Sequence, residues 1–269
     1  MQRPEWAPES IDIERPSVAR MYDYYLGGSH NFAVDRAAAQ AMITAVPEAP
    51  LMAQANRAFM RRAVRFLAAR GVRQFLDIGS GIPTVGNVHE IAQHEMPDAR
   101  VAYVDIDPVA VAHAREILAG NAQTVIIQAD LRTPEEIVKH PEVRELLDFS
   151  QPIAVLIVAV THFIPDEDDP AGLIARIRDA LAPGSYLVLS QASGEGRTEE
   201  EAAETFAVYR RADNLVRARP REMLLPYFDG FTLLDPGLVW VPLWRPDPTD
   251  NTEDADRVVF IGGVGSLGE

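Results

Sequence analysis

A chain of 269 residues, 47% hydrophobic and 24% charged, can bury about 73% of its unfolded surface in one large core or two small ones. Its composition excludes a disordered chain, a collagen and a disulfide-stapled miniprotein. Forty acidic against 25 basic residues leave a net charge of −15, which disfavours nucleic acid and anionic membrane surfaces as partners, and the lack of cysteine removes disulfides and thiolate chemistry.

The opening MQRPEWAPESIDIERPSVAR carries acids and three prolines where a secretory signal has an apolar core, and no apolar run reaches a membrane-spanning length. A cytoplasmic protein without a membrane span is expected. Residues 1–70 read as helical. Leu51, Ala55, Phe59, Ala63 and Phe66 recur at helical spacing through PLMAQANRAFMRRAVRFLAARG, a helix closed by Gly71. Arg57, Arg61 and Arg65 share another face, which reads as a solvated stripe more readily than as an anion-binding surface.

From residue 71 to 269 strands and helices alternate: RQFLDI, a helix through VGNVHEIAQHEM, RVAYVDI, a helix through VAVAHAREILAG, then TVIIQAD. Apolar strands separated by helices predict a parallel sheet covered on both faces. Thr133, Pro134 and Glu136 start a helix through EEIVKHPEVRELL that Pro141 is placed to kink or interrupt. IAVLIVAV is a buried strand, AGLIARIRDAL a helix, YLVLSQ a strand and TEEEAAETFAVYRRADNLV a helix. FTLLDPGLVWVPLW and RVVFIGGVG close the chain as two strands, an antiparallel pair at the sheet edge. The division is an N-terminal helical extension over 1–70, a candidate lid packed on the core, and an α/β core over 71–269.

The most informative segment is FLDIGSGIPT. Gly79 and Gly81 follow a strand and precede a helix, where the backbone must turn sharply and approach a ligand closely. Asp77, Asp105 and Asp130 close three successive strands, so all three carboxylates emerge at the carboxyl edge of a parallel sheet, the edge that binds ligands. Thr84 stands where a dinucleotide fingerprint has its third glycine, and Asp77 repels a pyrophosphate while favouring an ammonium or sulfonium. S-adenosylmethionine carries both cations and no phosphate. Asp105 is then the acceptor for the ribose hydroxyls, Asp130 and the Leu131 backbone read the adenine edge, and Gly79, Ser80 and Gly81 line the methionine part.

These motifs resemble those of the class I S-adenosylmethionine-dependent methyltransferases, and more closely those of one bacterial family long catalogued as a domain of unknown function. The resemblance covers nearly the whole chain: RMYDYYLGGSHNFAVDR, QANRAFMRRAVR, FLDIGSGIPTVGNVHE, YVDIDPVAVAHAR, ADLR, VAVTHFIPDEDDPAG, LAPGSYLVLS and GGVG. It departs from the general motif at Pro83, where the last glycine is usual. It implies a Rossmann-like, seven-stranded, mostly parallel sheet with an antiparallel last strand, and the methyl donor at its carboxyl edge. Ile106 joins the expected cofactor contacts, as do Ala159 and Val160 at the end of the strand that faces the donor's methyl group in this fold class.

On the acceptor side, Tyr22, Tyr25, His30 and Asn31 around Gly27-Gly28 are candidate pocket residues, and His162 after the buried strand is the candidate general base. No metal-ligand spacing is present. Arg210, Arg211, Arg217, Arg219 and Arg221 fall within twelve positions but lack the aromatic interleaving of a nucleic-acid site. The expected reaction moves a methyl group to a small molecule. A non-catalytic adenosylmethionine-binding sensor is the alternative, and an NAD-dependent oxidoreductase is disfavoured by Thr84 and Asp77.

Overall fold

The computed structural model describes residues 13–82, 86–196 and 216–268. Three helices, α1 (Val18–Tyr25), α2 (Ala33–Ala45) and α3 (Ala49–Ala68), precede β1 (Gln74–Ile78). There follow α4 (Val88–Glu95), β2 (Arg100–Asp105), α5 (Pro108–Ile117), β3 (Thr124–Gln128), α6 (Pro134–Val138) and α7 (Pro141–Leu146). Next come β4 (Ala154–Val158), α8 (Pro170–Arg178) and β5 (Tyr186–Ala192), and then β6 (Phe231–Leu233), β7 (Val239–Trp240) and β8 (Phe260–Leu267). The helix expected over 198–216 lies outside the described residues apart from Val216.

The sheet runs β3-β2-β1-β4-β5-β8-β6, with β7 alongside β8. Strands β1 to β5 are mutually parallel and β8 is antiparallel to β5 and β6. Among the described residues eight strands form the sheet, against the expected seven. FTLLDPGLVWVPLW is not one strand: a turn in which Gly237 N–H donates to Leu234 O at 2.7 Å splits it into β6 and β7, and both pair with β8. The final strand is therefore held between β5 and β6, leaving β6 at the edge. Pro141 separates α6 from α7, as a residue without an N–H must when it starts a new helix.

Strand side chains alternate between two cores. Leu76, Ile78, Val155, Ile157, Leu187 and Leu189 pack with residues of α6, α7 and α8 on one face. Phe75, Val101, Tyr103, Leu156 and Val188 pack with α3, α4 and α5 on the other. The parity places Asp77 on the face of Phe75, beneath α3. That helix serves two layers, its first half joining α1 and α2 and its second half the sheet. Its buried face accordingly holds Met52, Ala53, Phe59, Met60, Ala63, Val64 and Leu67, whereas Leu51, at the end of the expected stripe, is exposed. Arg62 anchors α3 to the C-terminal segment, donating to Trp244 O at 3.0 Å and Val241 O at 2.7 Å and pairing with Asp250 at 2.7 Å.

Candidate functional site

β1 leaves the sheet through a turn whose two glycines have φ of +76° and +64°, at Gly79 and Gly81. The N–H groups of Gly79 and Ser80 both donate to Val104 O, at 2.7 and 3.1 Å. A Cβ at Gly79 would overlap the Val160 side chain, so both backbone conformation and the closeness of the loop after β4 demand glycine. Asp105 fastens the turn to β2: one carboxylate oxygen accepts from Gly81 N–H at 2.7 Å and the other from Asp107 N–H at 2.8 Å.

Over this edge lies a cavity of about 730 Å³. Asp77, Asp105 and Asp130 line it in the order of their strands, from the β1 side to the β3 side. Asp77 pairs in register with Tyr103 and is buried, which raises its pKa to about 7; Arg57 pulls it down and Asp105 pushes it up. Burial likewise raises Asp105 to about 6 against the lowering effect of its backbone N–H donors. Asp130 differs. Its partial burial raises the pKa, but the guanidinium and backbone N–H of Arg132 outweigh that and hold the carboxyl below its ordinary value.

The other end of the cavity, past β1 toward β4 and β5, is apolar. Met21, Met42, Met52 and Met60 from the three N-terminal helices line it together with Phe163 and Phe260, and Phe260 packs against the cluster that holds Met21, Met42 and Met52. A line of hydrogen bonds crosses its floor. Tyr22 O–H donates to Ala53 O at 3.0 Å and accepts from Asn56 Nδ2 at 3.1 Å; Ser190 O–H donates to Asn56 Oδ1 at 2.6 Å and accepts from Ala159 N–H at 3.0 Å. The loop after β4 is held by buried Arg219, which donates to Thr161 O at 2.8 Å and Ile164 O at 2.7 Å and pairs with Asp166 at 2.6 Å. His162 sits in that loop, 4% exposed, with Nδ1 lacking a hydrogen-bond partner. Burial, reinforced by the charge of Arg219, lowers its pKa to about 3.

The cavity thus brings together Asp77, Gly79, Ser80, Gly81, Asp105, Ile106, Asp130, Leu131, Ala159, Val160, His162, Tyr22 and Tyr25. His30 and Asn31, expected in the acceptor pocket, are not among its lining residues. They brace a loop instead: the His30 N–H and Asn31 Nδ2 both donate to Asp23 Oδ2, at 2.9 and 2.8 Å, and Gly28 lies so close to Asp23 that a Cβ would overlap it. Arg219 of the arginine-rich segment is internal bracing, Arg217 lines the cavity, and Arg210 and Arg211 lie outside the described residues.

A family model described as S-adenosyl methyltransferase matches residues 4–268. The chain belongs to the S-adenosyl methyltransferase family. A solved structure of a Thermobifida fusca YX protein, assigned as a methyltransferase, is 39% identical over 99% of this chain and 100% of its own, with a TM-score of 0.92. A protein of the family known as duf574 from Streptomyces avermitilis MA-4680 is 37% identical over 95% and 98%, with a TM-score of 0.90. Human N-acetylserotonin methyltransferase, solved with S-adenosylmethionine, is similar in fold alone, at 13% identity over 95% of this chain and 64% of its own and a TM-score of 0.50. No protein with a curated description matches. This methyltransferase uses S-adenosylmethionine as its cofactor. Among its described residues no helix is long and apolar enough to cross a membrane.

One methyltransferase residue that the spacing of charges hid is Arg57. It lines the cavity, its Nε is buried without a hydrogen-bond partner, and its charge acts on Asp77, Tyr22 and Tyr103. Arg61 and Arg65 on the same helix are exposed, and Arg65 pairs with Asp247 at 2.6 Å.

Proposed function

We propose that this methyltransferase binds S-adenosylmethionine along the β3-β2-β1 edge and methylates a small molecule lodged in the apolar end of the same cavity. The observation that carries the reading is the presence of both charge signs on one stretch of the cavity wall: a buried carboxyl at Asp77 and the Arg57 guanidinium whose charge acts on it, beside two glycines that leave the backbone open. Such a site suits a zwitterionic amino acid. It rejects a pyrophosphate, which would face Asp77 and Asp105 together.

In this reading Asp77 receives the α-ammonium and Arg57 the α-carboxylate, while Gly79, Ser80 and Gly81 border the methionine chain. The Asp105 carboxylate, an acceptor only when ionised and already held by backbone N–H groups including those of Gly81 and Asp107, turns its remaining acceptor capacity to the ribose hydroxyls. Ile106, 55% exposed and lining the cavity, and Leu131 border the adenine, and Asp130 reads its edge. The Ala159 and Val160 backbone flanks the boundary between the two ends. When bound, the cofactor supplies a methyl group on a sulfonium, and the protein's task is to hold the acceptor in line and keep water out.

Calorimetry on the purified protein tests this. Micromolar binding of S-adenosylhomocysteine is expected, weakened about a hundredfold by Asp105→Ala, the loss of two hydrogen bonds to a charged group. Absence of binding, or an unchanged constant in the variant, refutes the assignment. Turnover of methyl-labelled donor with a small-molecule extract separates an enzyme from a sensor.

A further inference from the structure

The order of the sheet sorts the cavity by chemistry. Carboxylates line it along β3, β2 and β1, and beyond β1 the lining changes to methionine and aromatic side chains brought in by α1, α2, α3, the loop after β4 and the start of β8. Resting on the function proposed above, we infer that the acceptor is an uncharged, mainly apolar ring compound bearing a hydroxyl group, seated between the methionines and Phe163 and bonded to His162 Nδ1.

Three observations support this. Thioether sulfurs make favourable contacts with ring edges and adapt to ring shape, so Met21, Met42 and Met52 suit an aromatic or polycyclic guest. The Tyr22 hydroxyl is already satisfied by Ala53 and Asn56, so that residue offers only its ring. His162 is flanked by Phe163 and Phe260, with ring centroids at 4.2 and 5.8 Å, and its Nδ1 is a buried polar atom without a hydrogen-bond partner among the described residues. A hydroxyl both donates and accepts, so it satisfies Nδ1 in either neutral tautomer. A carboxylate in the same place would meet a neutral imidazole and apolar walls, and burying it would be costly. The charges around this end are Arg57, directed to Asp77 in the reading above, Arg219, which is spent on Asp166 and on the carbonyls of Thr161 and Ile164, and Arg217, which lines the cavity. The volume of about 730 Å³ must hold both molecules, so the acceptor is compact.

The test uses the full chain and two probes of matched size, 2-naphthol and 2-naphthoate. Affinity for S-adenosylhomocysteine is measured first, and each probe is then titrated into the saturated protein, followed by ligand-observed NMR. The expected result is at least tenfold tighter binding of 2-naphthol than of 2-naphthoate. His162→Phe, which keeps a ring in place, is expected to weaken 2-naphthol about tenfold, the worth of one hydrogen bond, with the S-adenosylhomocysteine constant unchanged. Equal binding of the two probes, tighter binding of the acid through Arg217, or no binding of 2-naphthol to the saturated protein overturns the acceptor class while leaving the cofactor reading intact. No binding of S-adenosylhomocysteine overturns both.

Discussion

Asp77→Asn is expected to stabilise the ligand-free protein at alkaline pH while weakening cofactor binding. Burial moves this carboxyl from 3.8 to about 7, and at 1.36 kcal/mol per pKa unit that displacement corresponds to about 4 kcal/mol. The folded state binds the proton more tightly than the unfolded state. The associated stability is therefore complete below pH 3.8 and is lost as pH rises to about 7. Between pH 5 and pH 8 the wild-type protein gives up about 2.5 kcal/mol through this group, and an asparagine at the same position gives up none. The attraction to Arg57 is already contained in the shift, since Arg57 acts to lower it. Asp105 titrates in both proteins, and the variant also removes its repulsion with Asp77, so the comparison reads Asp77 together with that coupling. Urea denaturation of the two proteins at both pH values measures the difference. A variant no more stable than wild type at pH 8, or a stability gap independent of pH, refutes the claim that Asp77 is held at a cost for the sake of its ligand.

Three other outcomes are expected. Arg57→Gln should weaken S-adenosylhomocysteine about tenfold to a hundredfold, the range for a charge-assisted hydrogen bond, and leave methylthioadenosine, which lacks the amino-acid part, unaffected in calorimetry. Affinity for S-adenosylhomocysteine should fall about tenfold per pH unit between about 7 and 6 as Asp77 gains its proton, a slope that calorimetry should find missing from Asp77→Asn until Asp105 titrates at about 6. Gly79→Ala should lower stability by about 2 kcal/mol or more, because a left-handed φ is combined with overlap on Val160; Val160→Ala should restore part of that in thermal denaturation.

The sheet was legible because its parallel strands are apolar on both faces, and the three acids at their ends marked the carboxyl edge before any coordinates. What stayed hidden depended on contacts between distant segments. Arg57, Arg61 and Arg65 have identical spacing, and nothing local shows that α3 crosses the sheet so that the first of them lies over the ligand edge while the third reaches Asp247. His30 and Asn31 stand among tyrosines and glycines in the sequence, yet Asp23, seven residues before His30, captures both. The extra strand arose because LDPG loops out of a run of otherwise strand-forming residues, so that the two halves pair with β8 in the same direction but in shifted register. Arg219 read as part of a basic patch, and only the fold reveals carbonyls of the β4 loop arranged around it.

The hydrogen bonds from Tyr22 through Asn56 and Ser190 to Ala159 have a mechanical meaning. Swinging α1 outward by itself would strand the Asn56 amide or the Tyr22 hydroxyl in a buried site, at about 1–3 kcal/mol for each group left unmatched. Moving α3 as well would break the bond to Ser190 and drag on the strand end that borders the ligand edge. An outward movement of α1 or α3 is thus transmitted to Ala159, whose backbone closes the line at the cavity wall.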